Sequence, residues 1–193
     1  MKDTLFQEIY MHVMHLLKTQ LPSYLSYHNV EHTLYVLEKS TYIAKKEGVN
    51  ENDLWLLKIA ALYHDIGYTK TNVEHEQVGC EIARKDLKVF GITKNDIDVI
   101  CRMIMATRIP QQPHTLLEEI LADADLEYLG TKHFDKVSEL LYLELKHYNN
   151  KLTREEWNTI QINFLSKHNY HTDFCKRYKK HRKLQHIEKL KNV

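Results

Sequence analysis

The sequence predicts an all-α fold, a single-domain helical bundle, and three observations carry that expectation. Apolar residues recur at three- and four-residue spacing along nearly the whole chain. Helix start and stop signals fall at the joints between those patterns. Only 5 Gly and 3 Pro interrupt 193 residues, well below average usage, which argues against a turn-rich β-sandwich and against low-complexity disorder. No alternating strand pattern competes.

The elements follow in order. Leu5, Ile9, Val13 and Leu16 define a first amphipathic helix at about 3–20. Leu34, Leu37 and Tyr42, less regularly spaced, place a second at 29–47, ended by Gly48. The apolar stretch Leu54 to Tyr63 reads as a buried helix at 51–66, and a fourth runs over 74–89 until Gly91. Thr93-x-x-Asp96 and Thr153-x-x-Glu156 have the form of capping boxes and open helices at 94–106 and 154–168. Ile97, Ile100 and Ile104, with Cys101 beside them, form the apolar face of the first of these. Between them lie helices at 114–129 and 132–150. The last helix, 172–190, is expected to pack through Phe174, Tyr178, Leu184 and Ile187. From Lys176 to Lys191 it carries eight Lys/Arg and one Glu, a solvated basic face or one that meets an anionic partner.

Composition narrows the function classes. A chain with 43% apolar and 27% charged residues can bury a core without staples, and a net charge of +1 creates no whole-chain field for nucleic acid or an anionic membrane. Cys80, Cys101 and Cys175 are odd in number and far apart, so neither a disulfide framework nor a zinc knuckle is expected. No apolar run reaches membrane-helix length, and the first residues lack the order of a signal peptide. A cytoplasmic protein is the expectation. The unusual count is 13 His, the commonest metal ligand and acid/base residue.

His28 and His32 stand four apart at a helix start, on one face within one turn. His64-Asp65 ends the apolar stretch, where a buried carboxylate needs a partner that a cation would supply. Asp123 and Asp125 follow in a later apolar helix; two positions apart, they point about 200° apart, so both do not bind one ion. Taking Leu117, Leu121, Ala124 and Tyr128 as that helix's buried stripe sets Asp125 nearer to it than Asp123, without deciding between them. Imidazoles and carboxylates in this mixture, with no Cys, suit a divalent transition metal such as Mn, Fe, Co, Ni or Zn. Such an ion lowers the pKa of water, polarises a phosphoryl oxygen and orients a leaving group.

The ordered set His32, His64-Asp65 and Asp125 resembles the H...HD...D signature of the HD-domain metal-dependent phosphohydrolase superfamily. Tyr27-His28-Asn29-x-x-His32, Ala60 to Gly67 and Ala124-Asp125-Leu126 supply its context, over about 24–130, and the helices of 131–193 carry no comparable motif. The resemblance implies an all-α hydrolase in which His32, His64, Asp65 and Asp125 bind the metal, Asp125 being preferred for its Ala-Asp-x setting. His28 resembles the histidine with which related cyclic-nucleotide phosphodiesterases protonate the leaving oxygen. His75-Glu76-Gln77-x-Gly79 resembles a segment that supplies a second metal in some members, so His75 is a candidate for a second metal or for support of the first. Thr107 stands where a further histidine would be expected, which counts against a complete second site.

The expected activity is hydrolysis of a phosphate ester, mono- or diester, of a nucleotide or related small metabolite. Lys70, Arg102, Arg108 and Lys132 are the cations available for substrate phosphate, and Tyr63, Tyr68 and Tyr128 the aromatics available to stack a base. The main alternative is a metal-containing nucleotide-binding regulatory module without turnover. An RNA-binding or assembly role for the basic last helix is disfavoured by the neutral net charge. The sequence leaves substrate identity and oligomeric state open.

Overall fold

The computed structural model describes residues 2–192, and among them every regular element is helical. The α-helices are α1 (Lys2–Gln20), α2 (Val30–Lys46), α3 (Glu51–Tyr63), α4 (His75–Val89), α5 (Lys94–Ala106), α6 (Leu116–Asp125), α7 (Phe134–Tyr148), α8 (Arg154–Lys167), α9 (Asp173–Tyr178) and α10 (Lys180–Lys191). Two 3₁₀ turns, Ile66–Thr69 and Glu127–Gly130, follow α3 and α6.

The central element is α3, because it is apolar on nearly every side. Leu57, Ile59, Ala60, Ala61, Leu62 and Tyr63 are all fully buried, and each large aliphatic side chain so placed contributes about 1.5–3 kcal/mol. It packs against α1, α2, α5 and α6 in the main hydrophobic cluster. A second cluster, of Tyr27, Leu126, Tyr128, Leu129, Phe134, Leu165 and Ile187, joins α7, α8 and α10 to that body. The three cysteines are free and buried, and among the described residues no helix is long and apolar enough to cross a membrane.

Several expectations need correction. Gly48 and Gly91 do end helices, at φ of 73° and 77°, which side-chain-bearing residues disfavour. The box at Thr153 and Glu156 is reciprocal, whereas the Thr93 hydroxyl caps the Asp96 N–H and donates to the Asp96 carboxylate instead of leaving that group for its own N–H. Helix α2 is buried through Val36, Ile43 and Ala44 while Leu34 and Tyr42 are exposed. The expected 51–66 helix stops at Tyr63, and the expected 114–129 helix stops at Asp125 before its 3₁₀ turn.

The last expected helix is two, broken at Lys179. That break rotates α10, so Leu184, expected to pack, is 47% exposed while Lys183 is only 4% exposed; Tyr178, at the end of α9 and also expected to pack, is 59% exposed. The Lys183 ammonium donates to the carbonyls of Leu165, at 3.0 Å, and His168, satisfying free carbonyls at the end of α8. Burial pushes its pKa down to about 8.

Candidate metal centre and cavity

Local chain geometry explains why the histidines and carboxylates converge. Asn29 caps α2, its side-chain oxygen accepting the His32 N–H at 3.0 Å. This fixes the helix start, leaving His28 just ahead of it and His32 in its first turn. At the end of α3, His64 and then Asp65, at φ −107° and ψ 5°, turn the chain into the Ile66–Thr69 3₁₀ turn. Gly67 makes the next approach possible. A Cβ there would lie 1.9 Å from the His75 carbonyl oxygen, so only glycine lets the start of α4 close on the His64-Asp65 corner.

His32, His64 and Asp125 each bring one ligand atom within 4.8 Å of the others. His32 Nε2 lies 3.0 Å from Asp125 Oδ1 and 3.4 Å from His64 Nε2. Asp65 reaches the same rings, its Oδ2 standing 3.4 Å from His32 Nε2 and 3.1 Å from His64 Nε2. His64 Nδ1–H donates to the Ala61 carbonyl at 2.8 Å, so Nε2, on losing its proton to make way for a cation, offers its lone pair inward.

These residues fit a divalent ion. Asp65 Oδ2 is buried and accepts no hydrogen bond, and a buried carboxylate oxygen without a donor is costly unless a cation faces it. Ligand atoms sharing an ion at bonds of about 2.1 Å stand about 3 Å apart, close to the spacings here. Burial opposes charge on both members of the corner, yet it is outweighed. The nearby Asp65 charge raises His64 to about 9, and the charges of the surrounding imidazoles, His64 foremost, hold Asp65 well below the usual carboxylate range.

Asp123 serves a different purpose. It is fully buried, and its carboxylate accepts the backbone N–H groups of His171 (2.9 Å) and Thr172 (2.8 Å) and the Thr172 hydroxyl (2.7 Å). Burial nevertheless pushes its pKa up. The stripe argument fails here because α6 is buried on nearly all sides from Ile120 to Ala124, so depth does not single out a ligand.

His28 faces the same space. Its Nδ1–H donates to Glu144 on α7, whose carboxylate also accepts the backbone N–H groups of Tyr27 (2.8 Å) and His28 (3.0 Å). Burial works against the His28 cation, but the bond to Glu144 and the charges of Asp65 and Glu144 raise its pKa; Glu144, though buried, is lowered by the same bond. Tyr68 stacks on the His28 ring with centroids 4.2 Å apart and an interplanar angle of 21°. Its hydroxyl hydrogen-bonds His28 Nε2 at 3.2 Å, so a leaving oxygen that takes a proton from Nε2 displaces that contact. Tyr68 also stacks on His75, whose Nε2 is 3.5 Å from Asp65 Oδ1. Thr107 spends its hydroxyl on the Ile104 carbonyl. Glu144 was missed from the sequence; its only signal is an acid inside Leu140 to Leu145.

A cavity of about 310 Å³ opens on this cluster, bordered by His28, Asp65, Tyr68, His75 and Asp125 and continuing between α7 and α8. Tyr68 and Tyr128 line it, whereas Tyr63 is fully buried elsewhere. None of Lys70, Arg102, Arg108 and Lys132 lines it, against expectation. A larger concavity of about 700 Å³, walled in part by Arg84, Arg102 and Arg108, involves none of the clustered histidines.

Two imidazoles and a carboxylate, His32, His64 and Asp125, gathered from the start of α2 and the ends of α3 and α6 with Asp65 beside them, define a candidate divalent-metal centre in an all-helical scaffold. Comparison with known proteins agrees with the scaffold. Residues 29–127 match the HD domain family, and the chain belongs to that family. It is 35% identical over 118 residues to the uncharacterised protein MJ0778 of Methanocaldococcus jannaschii, covering 55% of this chain and 69% of that one. Its fold is similar to that of a predicted HD superfamily hydrolase from an uncultured Thermotogales bacterium (TM-score 0.64, 23% identity, 96% of this chain and 89% of that one). It is also similar to Bacillus subtilis YpgQ, solved in complex with ADP (TM-score 0.68, 18% identity, 100% and 96%).

Proposed function

We propose that this chain, acting as a single domain in the cytoplasm, is a metal-dependent phosphohydrolase that cleaves a phosphate ester of a nucleotide or related small metabolite. His32, His64, Asp65 and Asp125 would hold the ion. A divalent ion so held supplies Lewis acidity toward a phosphoryl oxygen and lowers the pKa of water. The observation that carries the reading is the juxtaposition of that quartet with His28, a cavity-facing imidazole whose proton Glu144 stabilises.

In this reading His28 holds a proton at Nε2 and delivers it to the leaving oxygen as the P–O bond breaks, while Glu144 stays ionised and orients the ring. His75 stands beside Asp65 and steadies it. Ligand sensing without turnover is the competing reading, and the ADP complex of YpgQ is the reason to test nucleotides as ligands as well as substrates. Metal analysis of the purified protein, followed by phosphate release from a panel of mono- and diesters, tests both. Metal together with turnover supports hydrolysis, whereas tight nucleotide binding with no product from any ester supports sensing.

A further inference from the structure

The cavity is built for one part of a substrate more than another. Its head carries the quartet and His28; its far end is Leu141 and Leu145 from α7 with Trp157, Ile160 and Phe164 from α8. Two polar side chains interrupt that apolar end, Ser138 and Gln161; the Ser138 hydroxyl donates to the Gln161 carbonyl oxygen and the Gln161 amide to Asn158 at 3.4 Å, so both have partners within the protein.

Charge is equally one-sided. Asp65, Glu76 and Asp125 border the cavity, and no Lys or Arg does. Of the four cations near the motif-bearing segments three are paired elsewhere, Lys70 donating to Gln20 (3.0 Å), Arg108 to Glu74 (3.2 Å) and Arg102 standing 3.7 Å from Glu118, and Lys132 does not line the cavity. One phosphoryl group can be neutralised at the quartet. Beyond the reach of His28 and His75, a second or third phosphate pushed toward the α7–α8 end would meet hydrocarbon, and a buried charge without a partner is strongly disfavoured. Uncharged hydrocarbon gains from the same wall.

Taking the hydrolase reading as its basis, we infer that the substrate is a phosphate monoester carrying a single phosphoryl group on an uncharged, apolar or aromatic alcohol, and that the α7–α8 wall selects this alcohol. The size agrees. An apolar cavity of about 150 Å³ holds benzene, so about 310 Å³ takes one ring or a short branched chain together with the phosphoryl group. In the reaction the P–O bond to the alcohol breaks and a water oxygen bonds to phosphorus. The alcohol leaves with the His28 proton, and the protons of the water restore His28 and remain on inorganic phosphate.

The test uses the metal-loaded protein and two kinds of probe. Phosphate release from ethyl, butyl, hexyl and phenyl phosphates is compared with that from glycerol phosphate, ADP and ATP. The expectation is that kcat/KM rises about fourfold per methylene until the cavity is filled, and that phenyl phosphate exceeds ADP by roughly tenfold or more. Ile160 is 45% exposed, so Ile160→Lys is tolerated by the fold while putting a cation on the wall. It should lower phenyl phosphate turnover by roughly tenfold and narrow the gap to ADP. Turnover of ADP or ATP at or above that of the apolar esters, or rates insensitive to chain length and to Ile160→Lys, overturns the inference and leaves the hydrolase reading standing. Binding of benzylphosphonate, measured by calorimetry, reads the wall without turnover. If no ester is cleaved, the hydrolase reading falls. Benzylphosphonate bound more tightly than ADP, and weakened by Ile160→Lys, would still uphold the apolar selection, and the reverse order would end it.

Discussion

The region from α2 to α6 and the region from α7 to α10 are held together by different kinds of contact. In the first, apolar faces converge on α3 and carry the imidazole and carboxylate side chains with them. In the second, smaller apolar clusters are supplemented by polar side chains that reach across long separations in the chain. Glu144 grips the Tyr27–His28 backbone, Asp123 holds the His171–Thr172 turn from α6, and Lys183 closes α8. The difference teaches that the quartet is delivered by local helix ends, whereas the partner of His28 and the cavity wall are delivered by tertiary docking.

The sharpest way to break this comparison is to remove a carboxylate from the first region. Asp65→Ala should lose most of the metal, expected at about one ion per chain by elemental analysis, and with it essentially all hydrolysis, since the ion is held through so few side chains. Unchanged metal content would remove Asp65 from the ligand set. Asp125→Asn should behave alike.

Next in size is His28→Ala, which should retain the metal yet lower turnover by about 10²- to 10⁴-fold. The loss should be much smaller for p-nitrophenyl phosphate, whose leaving group needs little protonation, than for an alkyl ester. Equal losses on both would point to substrate positioning, and lost metal would make His28 a ligand.

Glu144→Gln probes the second region's reach into the first, and about a tenfold fall in kcat is expected, less than the loss of the acid itself. The sign of its pH effect follows from the raised His28 pKa. The acid works protonated, so activity falls as pH rises through that pKa; without the Glu144 charge the pKa drops and the alkaline limb of the kcat/KM profile moves to lower pH. The histidine's contribution to stability is complete below its unfolded pKa and is lost as pH rises through the raised folded value. That of Glu144, lowered in the fold, is lost as pH falls through its own. An unmoved alkaline limb would show that Glu144 only packs.

The smallest catalytic effect is expected at Asp123. Asp123→Asn should keep the metal and most activity while losing about 1–3 kcal/mol of stability, because a buried acceptor of three donors is replaced by a group that serves fewer of them. Thermal unfolding with metal analysis checks this, and metal loss at full stability would exchange the roles of Asp123 and Asp125.

Much of the first region could be read from residue order. The all-helical class, the joints at Gly48 and Gly91 and the cap at Thr153 follow from spacing and from short-range hydrogen bonding, which a linear chain displays directly, whereas the grouping of His32 with His64-Asp65 comes from the resemblance to a family signature. Asp123 and Asp125 could not be separated by spacing, because α6 is buried on nearly all sides from Ile120 to Ala124 and offers no narrow stripe from which to measure. Nor could the turned face of α10, since one non-helical residue at Lys179 resets the periodicity for everything after it. Glu144 lies 116 residues from His28, and no local pattern records such a distance. Spacing along the chain is enough to choose helices and to nominate metal-seeking side chains, because those depend on neighbours within one or two turns. The acid's partner, the anchor role of Asp123 and a cavity without cations depend on which helix faces which, and that is settled only when distant apolar faces bury one another.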